Sequence, residues 1–268
     1  MTSSEDLTWR CIIDPPLPGA RNMALDEALA RRVGDSEAVL RLYAWDEPTA
    51  SLGRNEPTSD AARGASGLTV VRRPTGGRAV LHHREVTYAV IAPLAGMGGA
   101  RAAYRSINEA LAGGLRSLGA SVELAADGVG STESLDAGPC FQSPASGEVV
   151  AVSAAMARVE ARAPRKLVGS AQARFGRALL QHGSIMLSGS QARLAELDPT
   201  AAGYPQPATL EELVGPLAFA DVADAVVLGM REHFGGSWSD GTYGGAERAL
   251  AAELIDTKYA TDAWTWRR

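Results

Sequence analysis

The chain has 268 residues, of which 46% are hydrophobic and 21% charged, enough to bury a sizeable core in one large domain or two smaller ones. Its formal net charge of −5 argues against a dedicated nucleic-acid surface, because such domains are basic as a whole and the arginines here are scattered. Two cysteines in this length do not make a disulfide framework, no run approaches the ~18 apolar residues of a membrane span, and the acidic start MTSSEDLTWRC lacks a signal peptide's basic region, so the expected location is cytoplasmic.

In chain order, LTWRCIID reads as a first strand, with Cys11 a small buried hydrophobe inside it. ARNMALDEALARRV places Met23, Leu25, Leu29 and Val33 among good helix formers and predicts a helix. AVLRLYAW resumes the strand pattern, and TASLGRN predicts a further strand that ends at Gly53. LTVVRRP, GRAVLHH and EVTYAVIAP form a group of three strands, with Thr75-Gly76-Gly77-Arg78 as a tight hairpin connection, since glycine accepts positive φ without steric cost. Residues 100–119 predict a helix and SVELA a strand. The turn-rich stretch 126–147 has almost no periodicity and is expected to be a long functional loop. KLVGSAQARFGRALLQHGSIML predicts two strands around a turn near Phe175-Gly176, and from about residue 208 the pattern turns helical, most clearly in DVADAVVLGMREHF and GAERALAAELIDTKYA.

Several residues carry chemistry. Arg72 and Arg73 are consecutive on a strand, so they point to opposite faces and at most one easily serves a given pocket; His82 and His83 divide in the same way. The histidines and cysteines lack the short spacings of a zinc site, so no metal is assigned. The double glycine lies in neither a P-loop nor a strand-GxGxxG-helix order. Cys140, in Gly138-Pro139-Cys140-Phe141 of the polar loop, is not in the usual setting of a buried structural thiol; a lowered pKa would require a cation such as Lys166 or Arg72, or a histidine, beside it. Lys166 precedes the small residues Gly169, Ser170 and Ala171, which permit close approach of a ligand.

Taken together, Arg21–Ala28 (RNMALDEA), Leu40–Trp45 (LRLYAW), Ser51-Leu52-Gly53, Arg72–His82 (RRPTGGRAVLH), Lys166–Gln172 (KLVGSAQ), Gln181–Ile185 (QHGSI) and Lys258–Trp264 (KYATDAW) resemble, collinearly over almost the whole chain, the lipoate-protein ligase A-like family of biotin/lipoate cofactor transferases. Within it the likeness is greatest to the cysteine-dependent octanoyltransferases. The resemblance implies an α/β (α+β) fold in which a mixed sheet with flanking helices and the glycine-pinched hairpin wall a tunnel for an eight-carbon acyl chain, in a single catalytic domain over residues 1–268. It implies that Cys140 takes the acyl group as a thioester and that Lys166 contacts the acyl carbonyl. Arg72, Arg73, Gly76, Gly77, His82, Gly169, Ser170, Ala171, His182 and Gly183 would form the substrate pocket. The donor would be an acyl carrier protein and the acceptor a lysine of a lipoyl domain or of a glycine cleavage H protein, with no cofactor required and neither nucleic acid nor membrane as a partner.

Two departures from the family pattern stand out: His83 occupies a position where an aspartate is common, so no acidic role is assigned there, and the Cys140–Lys166 segment is longer, with VVAVSAAMARVEARAP inserted or diverged. Three other readings remain: an ATP- and magnesium-dependent lipoate ligase with no need of a nucleophilic cysteine, an amidotransferase between carrier proteins, and a non-catalytic acyl-binding homologue.

Overall fold

A computed structural model describes residues 7–58, 63, 67–126, 146–152, 164–203 and 205–267. The β-branched and aromatic runs near the N-terminus form β1 (Thr8–Ile13), then, after α1 (Gly19–Arg32), β2 (Glu37–Tyr43), β3 (Thr49–Leu52), β4 (Thr69–Arg72), β5 (Val80–His82) and β6 (Glu85–Pro93). α2 (Ala100–Ser117), β7 (Val122–Leu124), β8 (Val149–Ala151), β9 (Arg165–Lys166), β10 (Val168–Phe175) and β11 (Ala178–Met186) follow. The C-terminal part contains α3 (Leu210–Val214), α4 (Phe219–Phe234), β12 (Ser237–Asp240), α5 (Gly245–Leu254), a π-helical turn over Ile255–Tyr259 and α6 (Asp262–Thr265).

The central sheet runs β10-β11-β6-β2-β1-β12. In it β1 lies parallel to both β2 and β12, and the other pairs are antiparallel. Side chains alternate across it with period two. Ala38, Leu40, Leu42, Tyr88, Val90 and Ala92 face the layer of α2 and α4. Val39, Tyr43, Ala89 and Ile91 face α1 and α5. Both faces are covered, which is why these strands are continuous apolar runs. On β1, Cys11 is buried, and burial, reinforced by Asp240, pushes its thiol up to about 11, so it behaves as the inert hydrophobe its sequence setting suggests.

Two further three-stranded sheets have the orders β4-β3-β5 and β7-β8-β9. The first corrects an expectation. β4 and β5 do not form a hairpin across the double glycine; β3 lies between them, parallel to β4 and antiparallel to β5. The connection from Arg73 to Ala79 is too long for a two-residue turn and folds over the end of β3 instead. β8 and β12 were not foreseen either, and β12, with sequence SWSD, joins the sheet edge as a mostly exposed strand.

A charge is buried between the sheet and α1. Arg41 of β2 is fully buried and donates to Asp26 Oδ1 at 2.8 Å, Asp14 Oδ2 at 2.8 Å and Asn22 Oδ1 at 2.7 Å, while its guanidinium lies 3.8 Å from the Tyr43 ring centroid. Burial disfavours the Asp26 carboxylate, but Arg41 and then His182 outweigh it and hold the carboxyl below its ordinary range. Replacing Arg41 by Met leaves that carboxylate buried without its main counter-charge, and we expect a loss of about 3–5 kcal/mol in urea unfolding. Arg41→Lys recovers little, because an ammonium cannot span the fork of acceptors. Arg31→Ala serves as the control: this half-exposed partner of Glu27 is worth at most ~1 kcal/mol. Equal losses in all three variants would sink the assignment.

Candidate active site

The small sheet, α1 and the β10–β11 pair converge on one narrow cavity, bordered by Met23, Tyr43, Trp45, Ser51, Arg73, Val80, His82, Gly169, Ser170, Ala171, His182 and Gly183, among others. Close backbone approach creates it. A Cβ on Gly183 would overlap the carbonyl of Gly169 and crowd Tyr88, and one on Gly53 would overlap the carbonyl of Gly77, which itself has φ of 88°. Glycine at 53 therefore lets the connection after β4 seat directly on the exit of β3.

Two hydroxyl–imidazole–carboxylate chains run through the wall. Ser51 Oγ lies 2.7 Å from His82 Nε2, and His82 Nδ1 lies 2.7 Å from Glu85 Oε1. Thr75 Oγ1 lies 2.7 Å from His182 Nε2, and His182 Nδ1 lies 2.9 Å from Asp26 Oδ2. A carboxylate on the Nδ1 side orients each ring, so that Nδ1 donates to the carboxylate and Nε2 accepts from the hydroxyl. His82 also stacks on Trp45 at 4.0 Å between centroids, with the indole N–H donating to Thr87 Oγ1 at 2.8 Å. A third chain links Tyr88 to Ser170 at 2.7 Å and Ser170 to Asn108 at 3.2 Å. Burial lowers the His182 pKa against the opposing pull of Asp26, with Arg73 and His82 lowering it further.

Most of these polar groups bond to one another, Glu85 Oε2 and Asn108 Nδ2 being buried without a partner among the described residues, and the surface that lines the space is mainly apolar. The cavity measures about 30 Å³, roughly the volume share of one water molecule. Benzene occupies a cavity on the order of 150 Å³. The eight-carbon chain that the sequence resemblance implies needs more, so wall side chains must move to admit it, and Met23, with three rotatable bonds, is the most adaptable of them.

The structure resolves which consecutive residue faces the cavity. Arg73 borders it and donates to the Ser51 carbonyl at 2.8 Å and the Gly76 carbonyl at 2.7 Å. Arg72 points away and is held by the carbonyls of Gly53 at 2.6 Å, Glu56 at 2.8 Å and Thr265 at 2.9 Å. Gly76 and Gly77, expected in the pocket, are not among the residues that line it; they lie in the turn that Arg73 holds through the Gly76 carbonyl, whereas His82 borders the cavity and His83 is exposed. Gly169, Ser170, Ala171, His182 and Gly183 all come together there. Lys166 is buried on β9, three residues before Gly169, with Nζ 2.7 Å from Glu148 Oε2; Tyr104 donates to the other oxygen of Glu148 at 3.1 Å. Cys140 lies outside the described residues. Sequence reasoning missed Ser51, Thr75, Asp26, Glu85 and Glu148. Only Glu85 carried a local sign, standing three residues after His82.

A family model described as the lipoyl protein ligase A/B catalytic domain matches residues 18–230. Octanoyltransferase LipM of Kyrpidia tusciae is 38% identical over 97% of this chain and 99% of its own length. The LipM of Moorella thermoacetica is 38% identical over 97% and 98%, and that of Symbiobacterium thermophilum 33% identical over 98% and 100%. Among solved structures, lipoate-protein ligase A bound with ATP superposes with a TM-score of 0.71 at 22% identity, covering 99% of each chain. A bi-partite lipoate protein ligase of Thermoplasma acidophilum, solved in a study that included its E2 lipoyl domain, gives 0.71 at 20% identity over 97% and 96%. At these identities the solved structures speak to the fold alone.

The depressed His182 pKa has a consequence for stability. An unfolded histidine titrates near 6.5 while the folded one titrates lower, so the unfolded chain binds more protons between the two values. The stability from neutral His182 is complete above about pH 6.5 and is lost as pH falls from there toward the folded value, by up to ~1.4 kcal/mol per pH unit. Unfolding free energies measured between pH 7.5 and 5 should fall more steeply for wild type than for His182→Gln; identical slopes would remove His182 from the account.

Proposed function

The chain belongs to the lipoyl protein ligase A/B catalytic domain family, and we infer that it works there as an octanoyltransferase of protein lipoylation. Likeness to octanoyltransferases along 97% of the chain carries this reading, and the narrow cavity admits an unbranched acyl chain once its wall side chains move. The donor is an acyl carrier protein and the acceptor a lysine of a lipoyl domain or a glycine cleavage H protein. The thioester arrives already activated, so the transfer needs no cofactor.

On this reading Cys140 is the nucleophile. Its thiolate attacks the octanoyl carbonyl, the tetrahedral oxyanion collapses, and the carrier thiol leaves with a proton, so the acyl group rests on Sγ. The acceptor's neutral lysine amine then attacks this second thioester, an amide forms, and the Cys140 thiolate is regenerated as the amine gives up its proton. Lys166 supplies positive charge that favours both the thiolate and the oxyanion. A lysine anchored on a strand and clamped by Glu148 is held in place rather than swinging in solvent, which such a role requires. Arg73, His82 and His182 contribute to the shape of the slot, and Gly169, Ser170, Ala171 and Gly183 to its backbone wall.

The test is to incubate the protein with octanoyl-loaded carrier in the absence of ATP and to record intact mass before and after hydroxylamine. The expected result is a hydroxylamine-labile octanoyl adduct that is absent in Cys140→Ala and forms ~10²–10³-fold more slowly in Lys166→Ala. No adduct on wild type, together with modification of an acceptor by ATP and free lipoate, would make the chain a ligase and Cys140 a bystander.

A further inference from the structure

Side chains from β10, β11, β6 and α2 form a hydrogen-bonded row whose direction is fixed at one end. Gln172 Nε2 donates to the Ala100 carbonyl at 3.1 Å and to Gln181 Oε1 at 2.9 Å, and Gln181 Nε2 donates to the Tyr88 hydroxyl at 2.9 Å. Ser170 gives its single proton to Asn108 Oδ1 at 3.2 Å, so in the 2.7 Å bond between Tyr88 and Ser170 the phenol is the donor. A backbone carbonyl only accepts, and reversing the row would set the Gln172 oxygen against Ala100. The row therefore ends on the Asn108 amide nitrogen, which is fully buried and has no partner among the described residues. An unmet buried donor carries its whole desolvation cost, and each bond in a polarised row strengthens the next, so this N–H is a strong donor held ready.

The row adjoins the acyl cavity. Ser170 lines the cavity, and Gly183, its register partner on β11, carries no side chain there; a Cβ at that position would come within 2.8 Å of Tyr88 Cε1. The row also adjoins the Lys166 cluster. Tyr104, which donates to Glu148, precedes Asn108 by one turn of α2, about 6 Å along the axis. Burial pushes the Tyr88 phenol up and Glu148 adds to it, against Gln181 and Ser170, so Tyr88 lies within the field of the carboxylate that clamps Lys166.

Three buried side-chain atoms lack a partner among the described residues: Trp9 Nε1, Glu85 Oε2 and Asn108 Nδ2. Trp9 is on β1, toward the opposite edge of the sheet. Glu85 Oε2 only accepts, and a thioester has no proton to give it. Of the three, Asn108 offers what an acyl carbonyl takes. We propose that Asn108 Nδ2 donates to the carbonyl oxygen of the bound octanoyl group and, with Lys166, holds the oxyanion that forms there. The inference rests on the octanoyltransferase reading above. As Cys140 Sγ bonds to the carbonyl carbon, the π electron pair moves onto oxygen; as the carrier thiolate leaves, the pair returns and the carbonyl re-forms. Asn108 contributes a hydrogen bond and keeps its protons, and the same donor serves the attack by the acceptor amine.

Asn108→Leu, close in size, removes the donor. Acyl-enzyme formation from octanoyl-loaded carrier should fall ~10²-fold at saturating carrier with little change in KM, because the bond tightens as charge develops on oxygen. Gln172→Leu, at the half-buried start of the row, keeps the donor and should cost less than about tenfold. In the octanoyl-enzyme, the isotope-edited infrared band of the thioester carbonyl should lie lower in wild type than in Asn108→Leu. A further readout needs neither a variant nor turnover: the methyl ketone of the same chain, which has no leaving group, should move the Asn108 side-chain amide protons downfield in proton–nitrogen NMR of wild type. Equal rate losses in Asn108→Leu and Gln172→Leu overturn the proposal and make the row structural. So does a carbonyl band that is the same in wild type and Asn108→Leu, or an Asn108 amide unmoved by saturating ketone. A wild type whose Asn108 amide responds to the ketone yet forms no acyl-enzyme would refute the transferase reading and leave the carbonyl site standing.

Discussion

A buried guanidinium organises this molecule. Arg41 projects from the middle of the central sheet into the layer that α1 covers, where an unpaired charge would be too costly to keep. Its donors meet Asp14, Asn22 and Asp26, so the register of α1 on the sheet is set by directional bonds as well as by apolar packing. Asp26 then passes the constraint on. Its second oxygen accepts from Tyr43 and orients His182, and His182 reaches Thr75 in the connection over β3. One chain of contacts thus runs from the core through the cavity wall to the glycine turn. A buried pair of this kind contributes little net stability against an apolar replacement, but it discriminates strongly against a misplaced helix.

The same economy of polar groups makes the cavity suitable for a hydrocarbon chain. Three serines, one threonine and two histidines border it, a composition that by itself suggests a wet site. Because Ser51 bonds to His82 and His82 to Glu85 Oε1, and Thr75, His182 and Asp26 bond in the same way, an apolar guest displaces few hydrogen bonds, although Glu85 Oε2 is buried without a partner among the described residues.

Much of the fold was legible because its elements carry the period of their secondary structure. β2, β6 and α1 are buried along most of their length and β1 at half of its residues, and they read as apolar runs or a helical stripe. What failed was either polar or non-local. SWSD at β12 lies on a sheet edge and has no buried face to declare it. The double glycine suggested a hairpin, and no local pattern reveals that a strand from some 20 residues earlier inserts between its arms. The cavity divides in the same way. His82, His182 and the Gly169–Ala171 backbone were reachable through motifs, whereas Ser51, Thr75 and Asp26 lie in matched stretches too but drew no role, because their partners come from distant segments. Strand alternation stated correctly that Arg72 and Arg73 diverge, but only the fold says which one turns inward.

The far ties of Arg72 set an order of assembly. Its guanidinium is held by carbonyls at Gly53 and Glu56 nearby and by those of Thr265 and Arg267 at the other end of the chain, and Trp264 donates back to its carbonyl. Contacts this distant in sequence carry the largest loop-closure cost and form late. The cavity wall therefore stays unlatched until the segment around Thr265 and Arg267 has docked against it. Without that segment the slot is half built, and the arginine under the turn acts as the clasp that ties the cavity wall to a distant stretch of the chain.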